Sequence, residues 1–251
     1  MVAGVAAGTA ALLVVVAFAA GVGITAVGPG GVFLTVALVA LTDLPPATVV
    51  GTAMTTFVAT GLLGSYAYRR SGDLRSRGRL AAVLSVTGLA GAIVGVWLNA
   101  YVSERAFALL LGAFVSVTGA LVFYRTRAGG ERPAPDRPLA VGAAVGSVVG
   151  VSGGLLGVGG PVLAVPLLVA GGVGLLPALA VAQVQSVFVS AFAAAGYLFR
   201  GAIAPELVAL VGVPELAGVV VGWRVAHHVD EARLTRVLAV LLVALGPYLA
   251  L

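Results

Sequence analysis

Long apolar runs alternate with short polar turns along nearly the whole chain, and two of the runs are much shorter than the rest. The candidate segments are Val2–Val27, Val32–Leu41, Ala47–Tyr68, Leu80–Val102 and Ala106–Tyr124, then Leu139–Val158, Val162–Ala170, Ala178–Phe199, Leu207–Ala226 and Leu234–Leu251. About 20 apolar residues are needed for a helix to cross roughly 30 Å of hydrocarbon. Val32–Leu41 and Val162–Ala170 would reach only about 15 Å as helices. Neither can cross alone, so each must be joined to the helix before it through an interruption within the apolar layer.

Both interruptions are glycine clusters, and the second repeats the first. Gly21–Gly31 reads Gly-Val-Gly-Ile-Thr-Ala-Val-Gly-Pro-Gly-Gly, and Gly150–Gly160 reads Gly-Val-Ser-Gly-Gly-Leu-Leu-Gly-Val-Gly-Gly. Further matches follow in the same order at an offset near 130. Pro46-Ala47 pairs with Pro177-Ala178, and Leu89–Gly95 pairs with Leu216–Gly222. The polar turn Ser103-Glu104-Arg105 pairs with Asp230-Glu231-Ala232. The chain therefore divides into a first transmembrane repeat (1–124), a linker rich in Pro and Arg (125–138) and a second transmembrane repeat (139–251). Paired broken helices at corresponding places in two halves are a pointer to a transporter whose site lies at the breaks.

Composition agrees and narrows the class. Apolar residues make up 61% of the chain and charged residues 9%, against about 25% charged in a soluble domain. With no cysteine, disulfides, thiolate metal sites and cysteine nucleophiles are excluded. Every basic residue is arginine, and the arginines are scattered through short loops instead of forming one stripe, so nucleic acid is not an expected partner. The first twenty residues lack the positive start of a signal peptide and run into the first glycine cluster, so they read as part of the first helix.

The arginines also set an expected topology. If all ten segments cross, five per half is odd and the second half is inverted. Arg69, Arg70, Arg75, Arg77, Arg79, Arg125, Arg127, Arg132, Arg137, Arg224, Arg233 and Arg236 then share one side, with Arg105 and Arg200 on the other. Such a bias identifies the cytoplasmic face. It places the 125–138 linker inside the cell and both termini outside, in a multi-pass protein of the cell membrane. Short segments that re-enter in place of crossing would give four crossings per half, parallel repeats and a weaker bias. The expected fold is thus an all-α integral membrane protein of two inverted five-segment repeats, each with one short broken helix pair.

The candidate chemistry sits at the breaks. Gly28, Gly30 and Gly31, with Gly157, Gly159 and Gly160, can adopt positive φ and bring backbone close to a ligand. Pro161 stands where the second short helix would begin, a position suited to a residue without an N–H. Each short helix would present free amides and the positive end of its dipole, an anion site that needs no buried arginine. Helix packing is the simpler reading for glycines, and it fits Gly91/Gly95, Gly142/Gly146/Gly150 and Gly218/Gly222. Thr52, Thr55 and Thr56 in the third segment, and Gln183, Gln185 and Ser186 in the eighth, could bond an oxyanion or glue helices together. Of these, Thr52, Thr55, Gln183 and Ser186 join the six break glycines as expected substrate contacts. Glu215, about 15 Å into its span and just after Pro214, is a costly intramembrane carboxyl and the candidate proton carrier; a neutral structural Glu is the alternative. His227-His228 point about 100° apart and do not chelate together; they read as interfacial anchors. No metal or cofactor is expected.

These features resemble the sulfite exporter TauE/SafE family of membrane permeases. The resemblance rests on Gly21–Gly72 and Gly150–Gly201, each a glycine-rich break, a short apolar run, a Pro-Ala turn and a Thr- or Gln-bearing helix. The Leu-Ala-Gly-xx-Val-Gly segments extend it. It implies transport of sulfite or an organosulfonate. Departures are Pro29 inside the first glycine run, Pro161 in place of a third glycine, and Thr52-Ala53 and Gln183-Val184 where the family has a Thr-Ser pair. The expected function is a permease moving a small anion across the bilayer by alternating access, with possible rivals in an anion pore, a membrane enzyme or an assembly subunit. No HExxH, nucleophile elbow or phosphate loop supports an enzyme.

Overall fold

The computed structural model describes residues 5–75, 77–127 and 138–229, with side chains for 5–75, 77–121 and 139–229. Most of the linker and the expected segment Leu234–Leu251 lie outside the described residues, as do Arg233 and Arg236.

The described residues form nine helices in chain order. They are α1 (Ala7–Ala26), α2 (Gly31–Leu41), α3 (Pro46–Ser71), α4 (Gly78–Asn99), α5 (Glu104–Arg127), α6 (Pro138–Leu156), α7 (Pro161–Ala170), α8 (Leu175–Phe199) and α9 (Pro205–His228). Seven are long and apolar enough to cross a membrane; α2 and α7 are the short ones. The protein is an all-α integral membrane protein. Prolines start α3, α7 and α9 within their first turn, where a missing N–H removes nothing.

Two helix pairs pack backbone to backbone. Along α4 and α6, a Cβ added to Gly150 would fall 2.0 Å from the Gly88 carbonyl oxygen, and one on Gly95 would fall 2.3 Å from that of Val151. Along α1 and α9, a Cβ on Gly21 would fall 2.0 Å from the Glu215 carbonyl oxygen, and one on Gly222 would fall 2.2 Å from that of Val22. Lipid tails are as apolar as the helices, so association depends on such close van der Waals contact. The Gly91/Gly95, Gly146/Gly150 and Gly218/Gly222 motifs all lie in these seams.

The residues in contact also give helix directions. Gly142, Gly146 and Gly150 meet Leu80, Leu84 and Gly88 in the same order, so α4 and α6 run parallel. Phe18 and Val22 meet Gly218 while Val22 and Thr25 meet Gly222, so α1 and α9 run parallel. Gly51 meets Tyr197 whereas Gly61 and Gly64 meet Gln183, so α3 and α8 are antiparallel.

The short helices double back. Gly30 is pressed against Ala20, Gly23 and Ile24 of α1, and the residues after α2 (Thr42–Leu44) share one cleft with Val5 and Ala6 before α1. Gly171, after α7, lies near Val141 at the start of α6. Thus α1–α2 and α6–α7 are helical hairpins, each bent at its glycine cluster.

Candidate functional site

The two bends lie against each other. A Cβ on Gly28 would sit 2.8 Å from the Val165 side chain and 3.0 Å from the Pro161 carbonyl oxygen; one on Gly31 would sit 3.1 Å from the Val158 carbonyl oxygen. Gly28 (φ +105°) and Gly157 (φ +69°) occupy corresponding places and hold the left-handed backbone that the reversal requires.

A helix that stops within an apolar layer leaves its last carbonyls without partners. Protein donors fill these sites. At the end of α1, Gly23 O accepts the amides of Val27 and Gly28, Ile24 O accepts Gln183 Nε2 at 3.2 Å, and Thr25 O accepts the Tyr68 hydroxyl. Pro29 stands four residues after Thr25 and has no N–H to offer. At the end of α6, Gly153 O accepts the Gly157 amide at 2.8 Å, Gly154 O accepts the Tyr197 hydroxyl at 2.7 Å, and Leu155 O accepts Asn99 Nδ2 at 2.9 Å. The Thr35 hydroxyl donates to Gly157 O inside the bend.

The amides at the bends are treated differently. At the start of α2, the N–H groups of Gly31 and Val32 have no acceptor among the described residues; at the start of α7, neither do those of Val162 and Leu163. All four residues are buried. Three of the last four carbonyls of α1 and of α6 are thus filled, while the four amides that begin α2 and α7 are not, and the junction carries the positive ends of two helix dipoles.

Between the bends is a narrow void, too tight as it stands for a water molecule, lined by Gly28, Gly31, Gly159 and Pro161 from the bends, Phe57 and Thr60 from α3, and Ser186 from α8, with Ile24, Val158 and Val162 completing the wall. The Ser186 residue is 3% exposed, and its hydroxyl makes no hydrogen bond among the described residues.

The residues expected from sequence separate into two groups. Gly28, Gly31, Gly159 and Ser186 line the void, and Gly160 packs directly on Ser186. Gly30 and Gly157 shape the bends, and Gln183 caps Ile24 with its Oε1 left unpaired beside Gly64. Thr52 and Thr55 are not brought to the void. Thr52 accepts the Ala204 amide at 3.0 Å, and Thr55 donates to Gly51 O at 2.7 Å within its own helix. Thr56 likewise donates to Ala53 O at 2.9 Å.

Glu215 is fully buried on α9, and neither carboxyl oxygen has a partner among the described residues. Thr56 is the polar side chain facing it. At the far end of α9, His227 Nε2 lies 3.1 Å from the Asp73 carboxylate and Nδ1 lies 2.8 Å from Trp223 O. His228 contacts Arg224 O instead, so the two imidazoles do not act together.

Phe57 and Thr60 were not singled out in the sequence, because a Phe in an apolar helix carries no signal until α3 is seen to pass both bends. The two tyrosine caps did leave a signal. Each lies 43 residues after the carbonyl it caps, and Tyr68 and Tyr197 share the offset of the glycine clusters.

A family model described as Sulfite exporter TauE/SafE matches residues 13–249. No curated protein and no solved structure matches the chain.

Proposed function

The chain belongs to the sulfite exporter TauE/SafE family of membrane transporters, and from that premise we propose that it is a secondary transporter carrying a small sulfur oxyanion through the void between the two bends. The observation that carries this reading is the set of buried amides at the bends that have no acceptor among the described residues. The carbonyls of Ile24, Thr25, Gly154 and Leu155 are each capped by a side chain, whereas the buried amides of Gly31, Val32, Val162 and Leu163 are left for an external acceptor. An oxyanion supplies the acceptors, and the helix dipoles favour its charge. Ser186 adds a hydroxyl, while Gly28, Gly31, Gly159 and Gly160 let the backbone approach.

The two halves act as inverted repeats. α1 runs with α9 and α6 runs with α4, while α3 opposes α8. α3 also runs with α9, since Thr52 meets Ala204 and Thr56 faces Glu215, and α4 returns antiparallel to α3. The helices α1, α3 and α4 are therefore opposed to their counterparts α6, α8 and α9. A hairpin followed by three crossings also gives an odd half, so inversion does not require α2 and α7 to cross. The arginine-rich α3–α4 turn and the end of α9 then share the cytoplasmic side of the cell membrane, with Arg105 and Arg200 outside. Rocking one half against the other would open the void alternately to each side.

Glu215, buried and unpaired beside Thr56, is the proton-coupling group. In proteoliposomes, labelled sulfite should accumulate against its gradient when a pH difference is imposed, and unlabelled sulfite on the far side should drive counterflow. Sulfite flux without counterflow would make the protein a pore, and no flux of any sulfur oxyanion would overturn the reading.

A further inference from the structure

Among the described residues, Phe57 is the one aromatic that lines the void. It stands in the middle of α3, is 1% exposed, and its ring touches both bends. A Cβ on Gly31 would lie 3.1 Å from Cζ and 3.4 Å from Cε1, and a Cβ on Gly159 would lie 3.3 Å from Cδ2 and 3.4 Å from Cε2. The ring therefore stands between Gly31, the first residue of α2, and Gly159, just before α7.

Its counterpart in the second half, 129 positions later, is Ser186. Ser186 packs on Gly160, whose counterpart is Gly31; a Cβ on Gly160 would lie 3.0 Å from Ser186 Cα. The two halves thus place a benzyl group and a hydroxymethyl group at equivalent points of one void. One wall can bond an oxygen, and the other can only occupy space. The void is closed in this conformation, so an anion enters only after the bends part, with the ring remaining as the wall on the side of the first half.

We propose that Phe57 is the size filter of this site, filling the space that an organic substituent on sulfur would need and so restricting the cargo to a compact inorganic sulfur oxyanion. The proposal rests on the transport reading above and deepens it. The free amides and Ser186 hold the oxygens common to sulfite and a sulfonate. Phe57 meets only what else is attached to sulfur. A pocket wall discriminates by about 10- to 200-fold for a single methylene, which sets the scale expected here.

The test is uptake of labelled sulfite and labelled ethanesulfonate by the full chain in proteoliposomes. The wild-type protein should favour sulfite. Phe57→Ala should raise the ethanesulfonate-to-sulfite ratio by about tenfold or more, and Phe57→Leu should raise it by less. Ser186→Ala should slow both anions and leave their ratio in place. An unchanged ratio in either Phe57 variant overturns the filter, as does a wild-type protein that moves both anions equally. Loss of the folded protein in both Phe57 variants also overturns it, by making the ring a packing residue. A wild-type protein that moves neither anion defeats the transport reading itself, which is a distinct outcome.

Discussion

The two halves share their joints and differ in what the joints present. Both bends carry a left-handed glycine, Gly28 and Gly157. Both end their first helix with a carbonyl capped by a tyrosine. Both lay a glycine-lined helix of one half along the broken helix of the other. Against this common frame, Phe57 faces Ser186. Glu215 faces Thr56 from α9, while at the corresponding place Gln185 of α8 reaches Gly88 of α4. Thr25 donates to Val219 O at 2.9 Å, while its counterpart Gly154 meets Ala92 O with no side chain between. The duplicated parts form the breaks and supply their free amides, and the unduplicated parts supply the side-chain chemistry.

The largest expected effect lies in the duplicated frame. Gly150→Val places a branched side chain where even a Cβ would be 2.0 Å from the Gly88 carbonyl. Overpacking usually costs about 1–3 kcal/mol, but backbone cannot yield as a side chain does. The variant should yield no monodisperse protein by size-exclusion chromatography in detergent. Gly72→Ala is the control. It has positive φ (+90°) but open space around it, so its cost is the left-handed strain alone, about 1–2 kcal/mol. A folded Gly150→Val protein would mean that the α4–α6 seam can part to admit a branched side chain.

Next is the chemistry present in one half only. Glu215→Gln keeps the shape and the hydrogen-bonding capacity near Thr56 but cannot release a proton. Sulfite flux in this variant should lose its dependence on an imposed pH gradient while counterflow persists. Retained pH dependence would remove Glu215 from coupling, and it would become a second neutral joint like Gln185.

The frame was largely legible because it is periodic. The glycine clusters, the short runs after them and the Gly-xxx-Gly seams are spaced features of the chain, and the helices start within a few residues of the expected segments. Pro161 stands at the start of α7, as its missing N–H suggests. The relation of the short helices to their neighbours was not legible, since a glycine cluster permits either a kinked continuation or a reversal. The site was legible in its backbone and in one side chain, Ser186. Thr52 and Thr55 share a helical face with Thr56, but face alone does not say that Ala204 and Gly51 take their hydroxyls. Phe57 was invisible because its role depends on two bends meeting across a third helix.

The tyrosine caps test whether the halves are energetically equivalent. Tyr68→Phe leaves Thr25 O without a partner, and Tyr197→Phe does the same to Gly154 O. Each should lower unfolding free energy by about 1 kcal/mol, the scale of interhelical hydrogen bonds in membranes, read as a drop in thermal midpoint in detergent. Tyr68→Phe should be the costlier of the two. Pro29 denies Thr25 O its usual helical donor, whereas Val158, four residues after Gly154, still carries an N–H that a small shift could offer. Equal losses would show that the proline adds nothing to the demand for a cap.

The smallest effect belongs to a contact with no counterpart at all. His227 joins the end of α9 to Asp73 in the α3–α4 turn, and the matching residues in the other half, Ala100 and Ala202, have side chains unable to make an ion pair. The imidazole also lies against Tyr68 and Trp223, with ring centroids 5.8 and 5.0 Å away, so it packs as well as pairs. The paired side chains are 21% and 17% exposed, and a pair that solvent reaches contributes about 0–1 kcal/mol, less in salt. His227→Ala should therefore lower stability by less than either tyrosine variant, and added salt should narrow its gap from wild type. His227→Phe separates the two contributions, because it keeps the ring contacts and loses Asp73. A His227→Phe protein as stable as wild type would assign the contact to packing. A loss exceeding that of Tyr68→Phe would promote this one-sided pair to a main tie between the halves and reverse the ranking of frame over ornament.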